Sequence, residues 1–414
     1  MFQSTFRTFV RAVFQCDCKP HKENTMNSVK TLQQFGLASL LLAGLSHDVA
    51  QTALAASGDY LFSYQVKGEN WGGITLRDHT AYFGSDDGHL YALNIDRPKL
   101  AWSFKTGGLV RSKPTIKNHQ IFVSSDDGYL YALNRWQGKL LWRTSLNDAD
   151  VERILPANHA PWEFDYTKSS ALVHGDKVFI GSGDGQLYAL SRFSGEVLWH
   201  FKTQGKIRTT PAHYNGLVFV SSWDGSVYAL NAQSGERVWQ YETKGALTSS
   251  PLVVDDVLVI GSRDTHLYGL DPNSGALLWQ QAYPGGSWVE SSATAAADGE
   301  HFYIGSSDSN LLNKFHARSG NLIWQFETGG WSWGQPVVSN GTVYIGATGH
   351  DEPGWYETKR GFFAVDGQTG QQQWQYQPKA IDGFVHGGVY GAPAVGYGKV
   401  IVPDLDGYVH VFEE

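Results

Sequence analysis

The fold is decided by the stretch SDDGYLYALNRWQGKLLW, Ser125 to Trp142. Its adjacent carboxylates, Asp126 and Asp127, sit among tyrosines and tryptophans, and alone they could be a metal or sugar site. The stretch recurs, however. SDDGHLYALN begins at Ser85, SGDGQLYALS at Ser182, SWDGSVYALN at Ser222 and SRDTHLYGLD at Ser262. Weaker copies are SSDSNLLNKF at Ser306, GFFAVD at Gly361 and DLDGYVHVF at Asp404. A tryptophan follows most copies, at Trp102, Trp142, Trp199, Trp239, Trp279, Trp324 and Trp374, with successive gaps of 40, 57, 40, 40, 45 and 50. A period near 40 is that of a repeat architecture. Each unit reads as four short strands: A around KPTI, B as QIFVSS, C as YLYALN and D as KLLWRT in the second unit. Asp-Gly between B and C supplies the positive φ of a two-residue hairpin, and WQGK turns C into D. Four-stranded units of this length, set radially, make a β-propeller.

The count specifies how the ring closes. Eight C strands are followed by only seven tryptophan-bearing D strands, because the last unit stops at Glu414. DYLFSYQVKG from Asp59 matches LAWSFKTGG from Leu100, with Phe62 in the tryptophan position and again 40 residues before Trp102. The sequence therefore predicts an all-β, eight-bladed β-propeller closed by the N-terminal strand, which removes the exposed edges of an open array. An open solenoid would need capping repeats, and none is visible.

The first 55 residues differ from the rest. From Met26, MNSVKTLQQFGLASLLLAGLS carries one Lys and then an apolar run from Phe35 to Leu45, and Ala53–Ala55 places small residues before a cut at Ala56. This reads as a secretory signal peptide over residues 26–55, with residues 1–25 an upstream extension or misassigned start and residues 56–414 the propeller. The apolar run is short for a membrane span. Ser46 stands where a lipidated Cys would be, so a lipid anchor is not expected, and the reading is a periplasmic or secreted chain. Both cysteines, Cys16 and Cys18, precede Met26 and leave the mature chain without a disulfide, a thiolate metal site or a Cys nucleophile. The whole chain has a net charge of −8; removing five basic and three acidic leader residues leaves 27 against 37, a net of −10. An acidic chain is a poor candidate for nucleic-acid binding.

The motif G-x-x-D-G-x-[LV]-Y-A-L-[ND]-x-x-x-G-x-x-x-W, which Gly181 to Trp199 follows, resembles the pyrroloquinoline quinone (PQQ) repeat propellers over residues 59–414. The resemblance implies one of two branches. One is the quinoprotein alcohol dehydrogenases, which hold PQQ and calcium over the central channel. The other is the non-enzymatic scaffolds similar to the outer-membrane β-barrel assembly factor BamB. In either, the D-strand tryptophans (Trp102, Trp142, Trp199, Trp239, Trp279, Trp324 and Trp374) would dock neighbouring blades. The dehydrogenases carry a vicinal Cys pair and larger insertions; this chain has neither and no clear calcium ligand set, so the scaffold branch fits better.

The repeated Asp87, Asp127, Asp184, Asp224, Asp264, Asp308 and Asp406 read as turn residues, since a two-residue hairpin cannot wrap a calcium ion. The histidines show no HxxxH or HExxH spacing, no G-x-S-x-G occurs, and no metal or catalytic set is expected. Positions that vary from blade to blade carry more information. Three residues before the start of each strand A stand Trp71, Arg111, Lys168, Arg208, Thr248, Glu290, Trp333 and Tyr390, with Trp288 and Trp331 close by. Arg forks suit carboxylates or phosphates and aromatic faces suit flat rings or sugars, so this mouth is a candidate site for a small anionic or aromatic ligand, a peptide or a glycan end; the alternative is a polar rim filled with water. The long insertions at Thr144–Pro161, Ala347–Arg360 and Gln377–Gly388 fall on the same face, where HAPWEFDY (His159–Tyr166) and DEPGWYETKR (Asp351–Arg360) offer aromatics and charges to a partner. The leading expectation is a non-enzymatic, partner-binding envelope scaffold, with a PQQ-dependent oxidoreductase or a glycan-binding propeller as alternatives.

Overall fold

The computed structural model describes residues 57–149, 151, 165, 168–350 and 357–414; the leader and its upstream extension lie outside them. Eight antiparallel four-stranded sheets form the eight blades of a propeller. Blade 1 runs Thr75–Arg77, Thr80–Gly84, His89–Asn94 and Lys99–Lys105, and six blades follow in the same order, from Thr115–Lys117 to Gln372–Tyr376. Blade 8 takes its inner three strands from Ala394–Gly396, Lys399–Pro403 and Tyr408–Glu413, and its outer strand is the N-terminal β1, Tyr60–Gln65. Tyr60 pairs with Phe412 and Gln65 with Tyr408 across this seam, as the strand count predicts.

Burial follows from the place of each strand. B and C strands such as Gln120–Ser124 and Tyr129–Asn134 are almost wholly buried, because both faces of a blade meet other blades. Outer strands alternate exposed and half-buried residues, as in Lys99–Lys105. Six of the eight C–D pairs are bulged beside the small residue opposite the tryptophan, as between Ala92 and Leu93 in blade 1 and between Ala229 and Leu230 in blade 4. A bulge raises the local twist of the outer strand.

Five of the seven tryptophans bond the next blade in one repeated way. Trp102 Nε1–H donates to Arg135 O (2.8 Å), Trp142 to Arg192 O (3.0 Å) and Trp279 to Ala317 O (2.7 Å), each acceptor lying in the C–D turn of the following blade. The turn glycine lies flat on the ring: a Cβ at Gly138 would stand 2.6 Å from Trp102, and one at Gly235 2.6 Å from Trp199. At the seam Gly58 does this for Trp374, with 2.7 Å to the ring. The G-x-x-x-W spacing thus records a glycine that covers one blade's tryptophan and a tryptophan that the next glycine covers.

Five of the repeated aspartates, Asp87, Asp127, Asp184, Asp224 and Asp264, accept from the strand-C tyrosine four residues on. Asp127 accepts from Tyr129 N (3.2 Å), from Tyr131 Oη–H (2.6 Å) and from Gly107 N (2.7 Å), tying its hairpin to strand C and to the chain entering the blade. Burial and then this bond to Asp127 push the Tyr131 phenol up to about 12, so it remains a donor at any physiological pH. Among the described residues no helix is long and apolar enough to cross a membrane.

Candidate functional site

All eight ring residues line one cavity of about 120 Å³ at the mouth of the central channel. They come together because the chain enters every inner strand from the same face. Trp71, Arg111, Lys168, Arg208 and Trp333 are buried, while Thr248, Glu290 and Tyr390 are half-buried.

The charged members are all held by protein groups. The Arg111 fork lies on Asp86, Nε to Oδ1 at 2.9 Å and Nη2 to Oδ2 at 2.5 Å. Lys168 bonds Asp148 and has Asp126 at 4.0 Å. Arg208 grips Asp165 through Nε (2.7 Å) and Nη2 (2.8 Å) and Asp148 through Nη1 (2.7 Å). Glu290 accepts from Arg263 Nε at 2.9 Å. Burial alone would raise the Asp148 carboxyl, but Arg208 and Lys168 outweigh it and hold it below the usual carboxylate range. An incoming anion would have to displace carboxylates already in place on both guanidinium forks.

Three of these partners follow the Ser of the B–C hairpin: Asp86 and Asp126 in Ser-x-Asp-Gly copies and Arg263 in the Ser-x-Asp-Thr copy. The ring residue of one blade meets the hairpin residue of the blade before it. A basic ring residue faces an acid, acidic Glu290 faces a base, and Trp71 shares an apolar cluster with Leu405. In blade 3 the hairpin position is Gly183, where a Cβ would stand 2.1 Å from Asp148 Oδ1 and 2.4 Å from Arg208 Nη2. The glycine leaves room for a carboxylate supplied by the long insertion instead. These partners were missed from sequence, although a signal existed: the hairpin middle varies while the Ser and Asp beside it repeat. Asp148 and Asp165 carry no such signal, because the insertion has no repeat register.

The aromatic sector is roofed by the molecule's own loops. Trp333 stacks on Trp331 (centroids 4.8 Å apart, 23°), and Trp331 stacks in turn on Phe384 (5.9 Å, 17°) and His350 (5.5 Å, 20°). Phe384 and Val385 come from the Gln377–Gly388 insertion and join Trp71, Trp331, Trp333 and Leu405 in one buried cluster. His386 N donates to Gly349 O (2.8 Å), joining this insertion to the one that begins at Ala347. Trp288 lies with its ring 5.2 Å from the Arg263 guanidinium. Of the expected partner anchors, Asp165 is buried and turned inward, while residues 152–164, 166–167 and 351–356 lie outside the described residues.

The family described as outer membrane protein assembly factor BamB matches residues 48–166, 138–291 and 263–413. The chain belongs to that family. BamB from Moraxella catarrhalis has the same fold at 18% identity and a TM-score of 0.64, over 87% of this chain and 98% of that one. A europium-containing methanol dehydrogenase shares it at 16% identity and a TM-score of 0.65, over 83% of this chain and 84% of that one. So does Sqt1 of Saccharomyces cerevisiae, at 16% identity and a TM-score of 0.66, over 87% of this chain and all of that one. No protein of curated function matches the sequence.

Membership of the BamB family leaves open whether the mouth could take the quinone of the dehydrogenase branch. Its residues do not fit that group. The cavity of about 120 Å³ is well below the roughly 300–1,000 Å³ of small-molecule pockets. The guanidinium forks are engaged and the indole faces are stacked. Among the described residues the metal-capable trio is Asp404, Asp406 and His410, which is absent from the mouth lining. A larger space lies beside the mouth, at the ring seam. It is a groove of about 690 Å³ lined by Gln65–Glu69, Asp86, Ile381, Asp382 and Leu405–Gly407. Its charged members are Glu69, Asp382 and Asp406 against Lys67, besides Asp86, whose charge is paired with Arg111.

Proposed function

We propose that this BamB-family propeller is a non-enzymatic scaffold of the bacterial envelope, and that it binds a protein partner on the face bearing the D–A and B–C connections. One observation carries the reading. On that face the channel mouth is filled by the chain's own ion pairs and stacked aromatics, while the same connections build the acidic groove of about 690 Å³ at the seam. A filled mouth offers no room for a cofactor, whereas a walled acidic groove suits a basic segment of a partner. The predicted leader and the family's description as an assembly factor support placement outside the cytoplasm.

Two measurements test this. A photo-crosslinking residue at Ile381, in the groove, is expected to give a discrete adduct in envelope extracts that is lost in Asp382→Lys. The same residue at Gln233, on the opposite face, should give none. Equal adducts from both faces, or an adduct indifferent to Asp382→Lys, would overturn the assigned face. Separately, titration with PQQ and calcium should leave tryptophan fluorescence unchanged and support no dye-linked alcohol oxidation. Saturable binding with turnover would make the protein an oxidoreductase instead.

A further inference from the structure

Two residues along the chain from each mouth-ring position stands a second layer of the same cavity, here termed the waist, formed by Gly73, Lys113, Ser170, Thr210, Ser250, Ser292, Gln335 and Ala392. Lys113 is its only charged group. In contrast to the mouth cations, its ammonium makes no hydrogen bond or ion pair with any described residue, and the side chain is half-buried along the channel wall. Its stem lies across the two smallest residues of the layer. A Cβ at Gly73 would stand 3.1 Å from Lys113 Cδ and 3.2 Å from Ala392 Cβ, so the space it occupies depends on their small size.

The hydroxyls around it are set to donate. Ser170 Oγ accepts from Lys113 N (2.9 Å), Ser250 Oγ from Thr210 N (3.0 Å) and Ser292 Oγ from Ser250 N (3.0 Å). With a lone pair of each oxygen engaged by a backbone N–H, its proton is left for the lumen. An uncompensated ammonium within a collar of hydroxyl donors is a site for one negative charge. A second cavity, of about 320 Å³, is lined by Lys113, Ser170, Thr210 and Ser250 of this layer, and its walls also include Ile116, Pro114, Pro211, Pro251 and Leu252. That apolar wall adjoins the charge.

We propose that the waist binds a small monocarboxylate with a short apolar tail. Its carboxylate sits on Lys113 and the Ser170 and Ser250 hydroxyls, and its tail lies in the proline-lined chamber. A dianionic phosphate would leave one charge unmatched, and a halide would leave the apolar wall unfilled. Burial pushes the Lys113 ammonium down from its ordinary value, which is the cost that a bound carboxylate would relieve. This assignment does not depend on the partner-binding face.

The test is calorimetric titration of the full chain with sodium pentanoate, with pentanamide, acetate and inorganic phosphate as controls. Pentanoate should bind once per chain and more tightly than acetate. Loss of the charge, in pentanamide or in Lys113→Met, should weaken binding about 10- to 100-fold. Because the pentanamide arm uses the wild-type protein, it holds even if the variant folds poorly. Absence of pentanoate binding, equal binding of pentanamide, phosphate binding as tight as pentanoate, or full retention in folded Lys113→Met would each overturn the proposal.

Discussion

Gly235 and Gly216 have the same backbone conformation, φ +77°, and differ in what lies above them. Nothing stands within 4 Å of a Cβ at Gly216, whereas one at Gly235 would meet the Trp199 ring at 2.6 Å. Alanine at Gly216 should cost about 1 kcal/mol for the left-handed backbone alone. Alanine at Gly235 should cost a further 1–3 kcal/mol or so for overpacking. Urea denaturation of both variants checks this, and equal losses would mean that the Trp–Gly contact adds nothing between blades. The glycine and the tryptophan are both legible in the sequence because they repeat. That they belong to different blades is not, since nothing in a linear period says whether a turn covers its own blade or its neighbour. At the mouth the eight ring positions could be read from the blade register. Their partners could be read only where they too had a register, as Asp86, Asp126 and Arg263 do, and not where an insertion supplied them, as with Asp148 and Asp165.

At the scale of an element, the insertion between blades 2 and 3 brings Asp148 and Asp165 into the mouth, where Arg208 bridges both. Arg208→Met would leave two buried carboxylates short of a partner and should cost about 3–5 kcal/mol. Acid should act through the same network. Asp148 is held below its ordinary value of 3.8, so its contribution is complete above the unfolded value and is lost as the pH falls through the lower folded value. Asp148→Asn should therefore be less stable than wild type at neutral pH, with the difference narrowing as both are acidified below about pH 4. Stability curves against pH that stay parallel would refute this account. Strand β1 is the other element with a task of its own. Without it, the Tyr408–Glu413 strand becomes an exposed edge and Trp374 loses the glycine that covers it. A chain beginning after Gln65 should self-associate through that edge and melt lower, checked by light scattering and calorimetry. A monodisperse, equally stable truncated monomer would show that the seam contributes little.

For the whole molecule, closure makes the two faces unequal. Because every blade is entered from one side, the variable residues, the long connections and the Ser-x-Asp-Gly hairpins collect there, and the C–D turns collect on the other. The sequence by itself determined the blade number, the strand order and the seam, because these follow from a period and from local turn chemistry, which are properties of a chain read in order. It also determined which residues surround the mouth, since register fixes height along the channel. Only the tertiary structure decided that the mouth cations are already neutralised, that its aromatics are roofed by an insertion, and that one lysine a layer below is left uncompensated. The physical reason is that charge pairing and stacking depend on distances between separate blades and on loops outside the repeat, and a repeat pattern carries no information about either.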